Sequence, residues 1–226
     1  MRLGLIALGD SITNGDGEPA LGVPYRSWAL WLAQALELPY TNLAWDGAVI
    51  VDVVLDQLPR VRAEYDLACL FIGVNDVRGP GWDAERYATD LERALQALPD
   101  RAARVLVLSV PRDLGRPRAG AAKVDALNAT IWRLAGAHGA SVASLDDLRG
   151  ARVMLPDAVH PTALGQLEIA DRAALALAGR GPLPCTLPSA LRSARSTPTA
   201  RARFTARWGV LLAKDLLRRA WERWSI

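Results

Sequence analysis

The chain has 226 residues, 51% of them hydrophobic and 23% charged, a globular composition that excludes wholesale disorder. No run of eighteen apolar residues occurs, so no transmembrane helix is expected, and two cysteines, Cys69 and Cys185, form neither a disulfide framework nor a zinc ligand set. The net charge of +3 hides an asymmetry: residues 180–226 carry ten Lys/Arg against Asp215 and Glu222, while the preceding 179 residues carry 17 basic against 22 acidic side chains, so the basic character belongs to the tail and is no argument for nucleic-acid binding.

Leu3 to Leu8 is a continuous apolar run of strand length. The stretch from Met1 to Leu8 is too short for the core of a secretory signal and leads directly into a polar motif, so the chain reads as cytoplasmic. Ser27 to Leu38 places Trp28, Trp31, Leu32, Ala35 and Leu36 on one helical face. A short strand around Tyr40 to Ala44 and a helix near Val49 to Leu58 follow. Leu67 to Ile72 is again apolar on both faces. Trp82 to Leu98 has Asp83 placed to cap a helix, with Tyr87, Leu91, Leu95 and Leu98 at the spacing of a buried stripe. Val105 to Val110 reads as a strand, Ala121 to Ala137 as a helix, Ser141 to Leu145 as a weaker strand and Thr162 to Ala178 as a closing helix. Strands buried on both faces and separated by helices imply a parallel sheet with helices on each side. Right-handed crossovers then gather the strand C-terminal ends along one edge, where such sheets bind ligands.

The expected organisation is a domain over residues 1–179, a linker over 180–200 and a basic amphipathic helix over 201–226. The linker reading rests on Pro182, Pro184, Pro188 and Pro198 among Ser, Thr and Arg. Within the tail, Arg203 to Trp224 reads as a helix with Val210, Leu212, Leu216, Leu217, Ala220, Trp221 and Trp224 on one side. Arg207, Lys214, Asp215, Arg218 and Arg219 take the other. The apolar side needs a cover, from the domain itself, a second copy of the chain or an anionic membrane surface. No candidate chemical group lies beyond His160, so the tail reads as an appendage to the site.

Four motifs fall at the expected edge or just before the last helix: Gly9-Asp10-Ser11 after the first strand, Asn42-Leu43-Ala44-Trp45-Asp46-Gly47 after the second, Gly73-Val74-Asn75-Asp76 after the third, and Asp157-Ala158-Val159-His160. The requirements of serine acyl transfer map onto them. The Ser11 hydroxyl needs a base, which His160 can supply, and the imidazole needs an orienting acceptor, for which Asp157 is within reach. A developing oxyanion needs donors: the backbone N–H groups of Ser11 and Gly47 and the side-chain amide of Asn75. Glycine at 47 lets the backbone approach a substrate closely.

These residues resemble the SGNH, or GDSL-type, serine hydrolases. Gly9-Asp10-Ser11 is similar to the family's first block with its nucleophile, Gly47 to the oxyanion glycine of the second, and Gly73-x-Asn75-Asp76 to the third with its oxyanion asparagine. Asp157-x-x-His160 matches the fifth, which supplies acid and base. Val74 stands where the third block often has a second glycine. The resemblance runs from about Leu3 to Ala178 and implies an α/β fold, a three-layer α/β/α sandwich around a five-stranded parallel sheet. It implies hydrolysis of carboxylic esters, in some members of thioesters, lysophospholipids or acetylated sugars, with no metal and no cofactor.

Plainer readings stand beside these. His138, at a helix end, reads as a C-terminal cap. Asp10 reads as support for the turn behind Ser11, and Asp76 as either a turn-former or support for the oxyanion loop. Of the eight tryptophans, Trp45 and Trp82 are candidates to line a substrate pocket. Cys69 reads as a small buried hydrophobe. The loops Asn14 to Arg26, Arg78 to Asp83 and Arg112 to Gly120 are short, which suggests an open groove and small or adaptable esters. Arg112, Arg116 and Arg118 read as a solvated loop or as contacts to an anionic substrate. The expected partner is a small-molecule ester, with no nucleic acid and with homodimer or membrane-surface contact through the C-terminal helix. The alternatives are a non-catalytic acyl- or glycan-binding module on the same fold and a membrane- or partner-docking protein acting through that helix.

Overall fold

A computed structural model describes residues 1–15, 19–115, 119–178, 186–192 and 196–224, without the side chains of 222–224. Readings that concern Arg116, Arg118, Pro182, Pro184, Cys185 and the side chain of Trp224 lie outside these residues.

Five parallel strands, β1 (Leu5–Gly9), β2 (Tyr40–Asn42), β3 (Leu67–Phe71), β4 (Val105–Leu108) and β5 (Ser141–Ala143), form one sheet in the order β2-β1-β3-β4-β5. Every residue of β1, β3 and β4 is buried, the expected state of parallel strands covered on both faces. The edge strands β2 and β5 are only three residues long. One face is covered by α2 (Trp28–Ala35) and α7 (Ala163–Ala178), which pack on each other. The other carries α5 (Ala84–Ala97) and α6 (Ala121–Ala137), together with the segment that opens with α3 (Ile50–Asp52). The Ser27 hydroxyl caps α2 by accepting from Ala29 N–H, and Asp83 caps α5 by accepting from Glu85 and Arg86 N–H. The stripes read from the sequence are buried, from Trp28 and Leu32 to Tyr87, Leu91 and Leu95.

After β1 the chain steps outward to β2, then returns to place β3 on the opposite side of β1. A crevice therefore opens between the C-terminal ends of β1 and β3, the place where open α/β sheets bind ligands. Two one-turn helices begin there, α1 (Ser11–Asn14) and α4 (Val74–Arg78); neither is long enough to show a periodicity in the sequence.

Three expectations need correction. The helix expected over Val49 to Leu58 is continuous in direction but not in type: α3 passes into a π-helical turn over Val53–Gln57 and a 3₁₀ turn over Leu58–Arg60. Pro59, with no N–H and a ring that crowds the preceding turn, loosens the α pattern. The segment expected to be a linker includes regular structure among its described residues. Pro188–Leu191 forms a 3₁₀ turn against α2 and α7, with Pro188 buried and Ser189 N–H donating to Asp171 at 2.8 Å.

The C-terminal helix α8 (Pro198–Trp224) begins earlier than expected and presents a different face. Phe204, Trp208, Leu211, Asp215 and Arg219, one stripe at helical spacing, are partly or fully buried, as are Ala200 and Leu212, and Phe204 packs against the core. Val210, Leu216, Leu217 and Trp221 are exposed. The wheel reading treated Asp215 and Arg219 as solvent-seeking. In the fold they pair with each other, so their burial is compensated. An open cleft of about 430 Å³ remains between α8 and the body, lined by Leu21, Leu155, Phe204, Trp208 and Leu211 among others. Among the described residues no helix is long and apolar enough to cross a membrane.

Candidate active site

The end of β1 sets the first position. Gly9 has φ +145°, and a Cβ there would lie 2.2 Å from the Phe71 carbonyl oxygen, so only glycine fits between the two strands. Asp10 then caps α1, its Oδ1 accepting from Ile12 N–H at 3.0 Å. This turn puts Ser11 at the first helical position, where its N–H has no intrahelical acceptor and its side chain is half-buried at the crevice.

His160 and Asp157 arrive from the other end of the chain. Ser11 Oγ lies 3.1 Å from His160 Nε2, and His160 Nδ1 lies 2.7 Å from Asp157 Oδ2. A carboxylate only accepts, so Nδ1 carries the proton and Nε2 is left as the acceptor for the Ser11 hydroxyl. Asp157 Oδ1 accepts from the N–H groups of Val159 and His160, each at 3.0 Å. Burial pushes the Asp157 carboxyl upward, but the hydrogen bonds from the His160 ring and the two N–H groups outweigh it and hold Asp157 below the usual range. The Asp157 hydrogen bond raises His160 above its ordinary value, against the opposing effect of burial.

Asn75 sits in α4, and its Nδ2 donates to the Ala48 carbonyl at 3.0 Å. That bond uses one amide hydrogen and orients the other. The Asp76 carboxylate accepts from Ile50 N–H, Oδ1 at 3.0 Å. The two neighbours thus tie the loop after β2 to the loop after β3, which resolves Asp76 as support for that loop. Burial lifts the Asp76 carboxyl to about 6. Gly47 is exposed in the turn between them, with φ +79°. Trp82 lines a cleft of about 270 Å³ that also contains Asn75, Asp76 and Ile50, and its ring lies 5.5 Å from that of Tyr87. Trp45, like Trp82, packs partly against the core, but it does not line this cleft.

Among the remaining candidates, His138 caps the C-terminus of α6, its N–H donating to Leu134. Arg112 pairs with Asp125 at 2.7 Å. Cys69 is fully buried in β3, and burial pushes its thiol well up. Asp10 is 1% exposed, its Oδ2 has no hydrogen-bond partner among the described residues, and burial raises the carboxyl to about 7. Among the described residues no group of three or more His, Cys, Asp or Glu is placed to hold a metal ion.

Two positioning residues were not recognised in the sequence. Gln57, fully buried, bonds both polar groups of Gly9. Gln166, in α7, donates to the Ile12 carbonyl at 3.0 Å and to Tyr25, and accepts from Trp28 N–H at 2.7 Å. The available signal was a glutamine standing on the buried stripe of a helix, as Gln57 does four residues after Val53.

The sequence model of the GDSL-like lipase/acylhydrolase family matches residues 7–167, which is most of the chain. The chain belongs to this family. Among solved structures the fold is similar to an α/β hydrolase enzyme from the metagenome of Lake Arreo, Spain (TM-score 0.61, 20% identity, 80% of this chain and 99% of that one). It is similar also to an acetylxylan esterase from Geobacillus stearothermophilus (TM-score 0.59, 17% identity, 78% and 96%). A third similar structure is another acetyl xylan esterase (TM-score 0.60, 22% identity, 77% and 99%). Among curated protein sequences nothing matches the chain. Family membership, with esterases among the structures that share the fold, supports a carboxylic ester hydrolase in general.

Proposed function

We propose that this GDSL-family protein hydrolyses carboxylic esters through an acyl-enzyme on Ser11. The observation that carries the reading is the continuous chain of contacts from Ser11 Oγ to His160 Nε2, and from His160 Nδ1 to Asp157 Oδ2. In the proposed reaction Ser11 Oγ attacks the ester carbonyl while His160 Nε2 takes its proton. Asp157 keeps the proton on Nδ1 and stabilises the imidazolium that forms. The N–H groups of Ser11 and Gly47 and the second Asn75 amide hydrogen receive the oxyanion. Collapse of this intermediate expels the alcohol, which takes the proton from His160. A water molecule, deprotonated by the same imidazole, then releases the acid and restores Ser11.

The substrate class we infer is a small acyl group on a polar alcohol. The cleft beside Asn75 is open and modest in volume, with Trp82 as a flat apolar wall and Asp76, Asp83, Arg86 and Asp90 around it. An aromatic face with charged hydrogen-bonding groups suits a sugar better than a long alkyl chain. The acetylxylan esterases that share the fold make acetylated sugars the first compounds to try.

The test is Ser11→Ala together with a serine-directed phosphonate, assayed on p-nitrophenyl esters of increasing chain length and on acetylated sugars. We expect activity to fall by roughly three or more orders of magnitude, labelling to be confined to Ser11, and rates to favour acetyl over long acyl groups. An alanine variant as active as the unmodified protein would overturn the mechanism. Folded, unlabelled and inactive protein would favour a binding module instead.

A further inference from the structure

The segment that carries Asp157 and His160 is a tight, strained turn. Leu155 N–H donates to the His160 carbonyl at 2.8 Å, and Ala158 N–H donates to the Leu155 carbonyl at 2.9 Å. Between them Ala158 has φ +56°, in the left-handed region that a Cβ-bearing residue occupies only at a cost. Such a conformation persists when its surroundings over-determine it. One support is Gly115, packed so closely that a Cβ there would stand 2.8 Å from Ala158 Cβ and 3.2 Å from the Asp157 carbonyl oxygen.

The other support comes from α8, sixty-three residues along the chain. Arg219 Nη2 donates to the carbonyl of Pro156, the residue before Asp157, at 3.2 Å. Arg219 Nε in turn donates to Asp215 Oδ2, and Arg218 donates to Asp215 Oδ1 at 3.0 Å. Asp215 is only 5% exposed. A carboxylate that is so buried is costly unless it is paired in good geometry. The planar guanidinium meets this need with one edge and leaves Nη2 aimed at Pro156. Helix α8 and the turn face each other across a small cavity of about 240 Å³, lined by Leu155, Pro156 and Asp157 on one side and Leu211, Lys214, Asp215 and Arg218 on the other.

We propose that Arg219, aimed by Asp215, is a positioning residue that holds the Asp157–His160 turn in register with Ser11, which makes the C-terminal helix part of the hydrolytic site and not an appendage to it. The proposal rests on the reading of Ser11, His160 and Asp157 given above. A displacement of about 1 Å at the acid–base pair costs on the order of a hundredfold in rate, so a single external bond to Pro156 is enough to matter.

The experiment uses the full chain with Arg219→Gln, Arg219→Lys and Asp215→Asn, and Leu217→Ser on the exposed face as control. Four quantities are read: kcat and KM on a small soluble ester, the thermal midpoint, and the titration of the His160 imidazole by NMR. Only His138 and His160 are present, so His138→Gln assigns the spectrum. The charged groups that act on His160 are Asp157, Asp10 and Arg78, and α8 adds Lys214, Asp215, Arg218 and Arg219 across the turn.

For Arg219→Gln we expect kcat to fall about tenfold or more with KM within about twofold, and the His160 midpoint to move down as the Asp157 hydrogen bond loosens. Loss of a cation acting through charge alone would move the midpoint up, so the sign separates positioning from simple electrostatics. Arg219→Lys keeps the charge without the fork and should fall between. Asp215→Asn should follow Arg219→Gln, and Leu217→Ser should change nothing. A lowered thermal midpoint with kcat and the His160 titration unchanged would overturn the proposal and leave α8 as packing only. If Ser11→Ala retained full activity, the hydrolytic mechanism would fail, yet the His160 titration would still decide whether Arg219 positions the turn.

Discussion

Gln57 grips both polar backbone groups of a single residue: its Oε1 accepts from Gly9 N–H at 2.8 Å and its Nε2 donates to the Gly9 carbonyl at 2.8 Å. Gly9 is the last residue of β1, so this clamp fixes the point from which Asp10 and Ser11 turn into the crevice. The π-helical turn over Val53–Gln57 brings the side chain there, in keeping with the use of such turns near functional sites.

Gln57→Leu is therefore expected to cost both stability and rate. The Gly9 carbonyl retains Trp45 N–H at 3.3 Å, whereas the buried Gly9 N–H loses its acceptor, a penalty of about 1–3 kcal/mol. Urea denaturation should show that loss, and kcat on a small ester should fall further than KM rises, because Ser11 is displaced while the cleft at Trp82 is untouched. Unchanged kcat in a destabilised variant would show that the Gly9 turn holds its shape unaided.

The pH–rate profile follows from the His160 environment. His160 must be neutral to accept the Ser11 proton, so kcat/KM should rise with pH along one limb whose midpoint lies above the ordinary histidine value of about 6.5, since the Asp157 hydrogen bond raises it. Asp157→Asn removes the largest upward influence, so the limb should shift to lower pH even as kcat drops by orders of magnitude. Steady-state kinetics between pH 5 and 9 check both points, and a shift in the opposite direction would contradict the pairing.

Asn75→Ala should lower kcat by about 10²–10³ and leave KM nearly unchanged, the signature of a donor used in the transition state. Trp82→Ala should do the reverse, raising KM for an aryl or sugar ester with less effect on kcat. Parallel kinetics on the two variants separate the oxyanion side of the cleft from its binding wall.

Asp10 gives a stability prediction. Its carboxyl is raised by burial from about 3.8 to about 7, so the folded state keeps a proton that the unfolded chain has already lost. Stability should fall as pH rises from about 4 to about 7 and level off above that. Asp10→Asn retains a capping side chain but cannot ionise, so the slope of unfolding free energy against pH in that window should shrink. Asp76, raised to about 6, titrates in both proteins, so the difference between them reports Asp10. Equal slopes would mean that Asp10 ionises in the fold as freely as in the unfolded chain.

The strands and long helices were legible because their signals are local. Runs such as Leu5 to Leu8 and Leu67 to Phe71 are apolar on both faces, and caps such as Ser27 and Asp83 stand beside the helices that they start. The four motifs at one sheet edge were legible for the same reason, as each is a few residues next to a strand or helix end. One-turn helices such as α1 and α4 give no period to read.

From the sequence alone followed a parallel sheet between helices, and Ser11, Gly47, Asn75, Asp157 and His160 as the groups to bring together. Tertiary structure decided what the patterns could not encode: the Ser11–His160 contact spans 149 residues, the bond from Gln166 to Ile12 spans 154, and that from Arg219 to Pro156 spans 63. It also chose the face of α8. A helical wheel ranks residues by their preference for water, and by that measure Asp215 and Arg219 belong outside. Their mutual ion pair and the Pro156 carbonyl compensate their desolvation, so the helix turns Phe204, Trp208 and this pair inward and leaves Leu217 and Trp221 exposed.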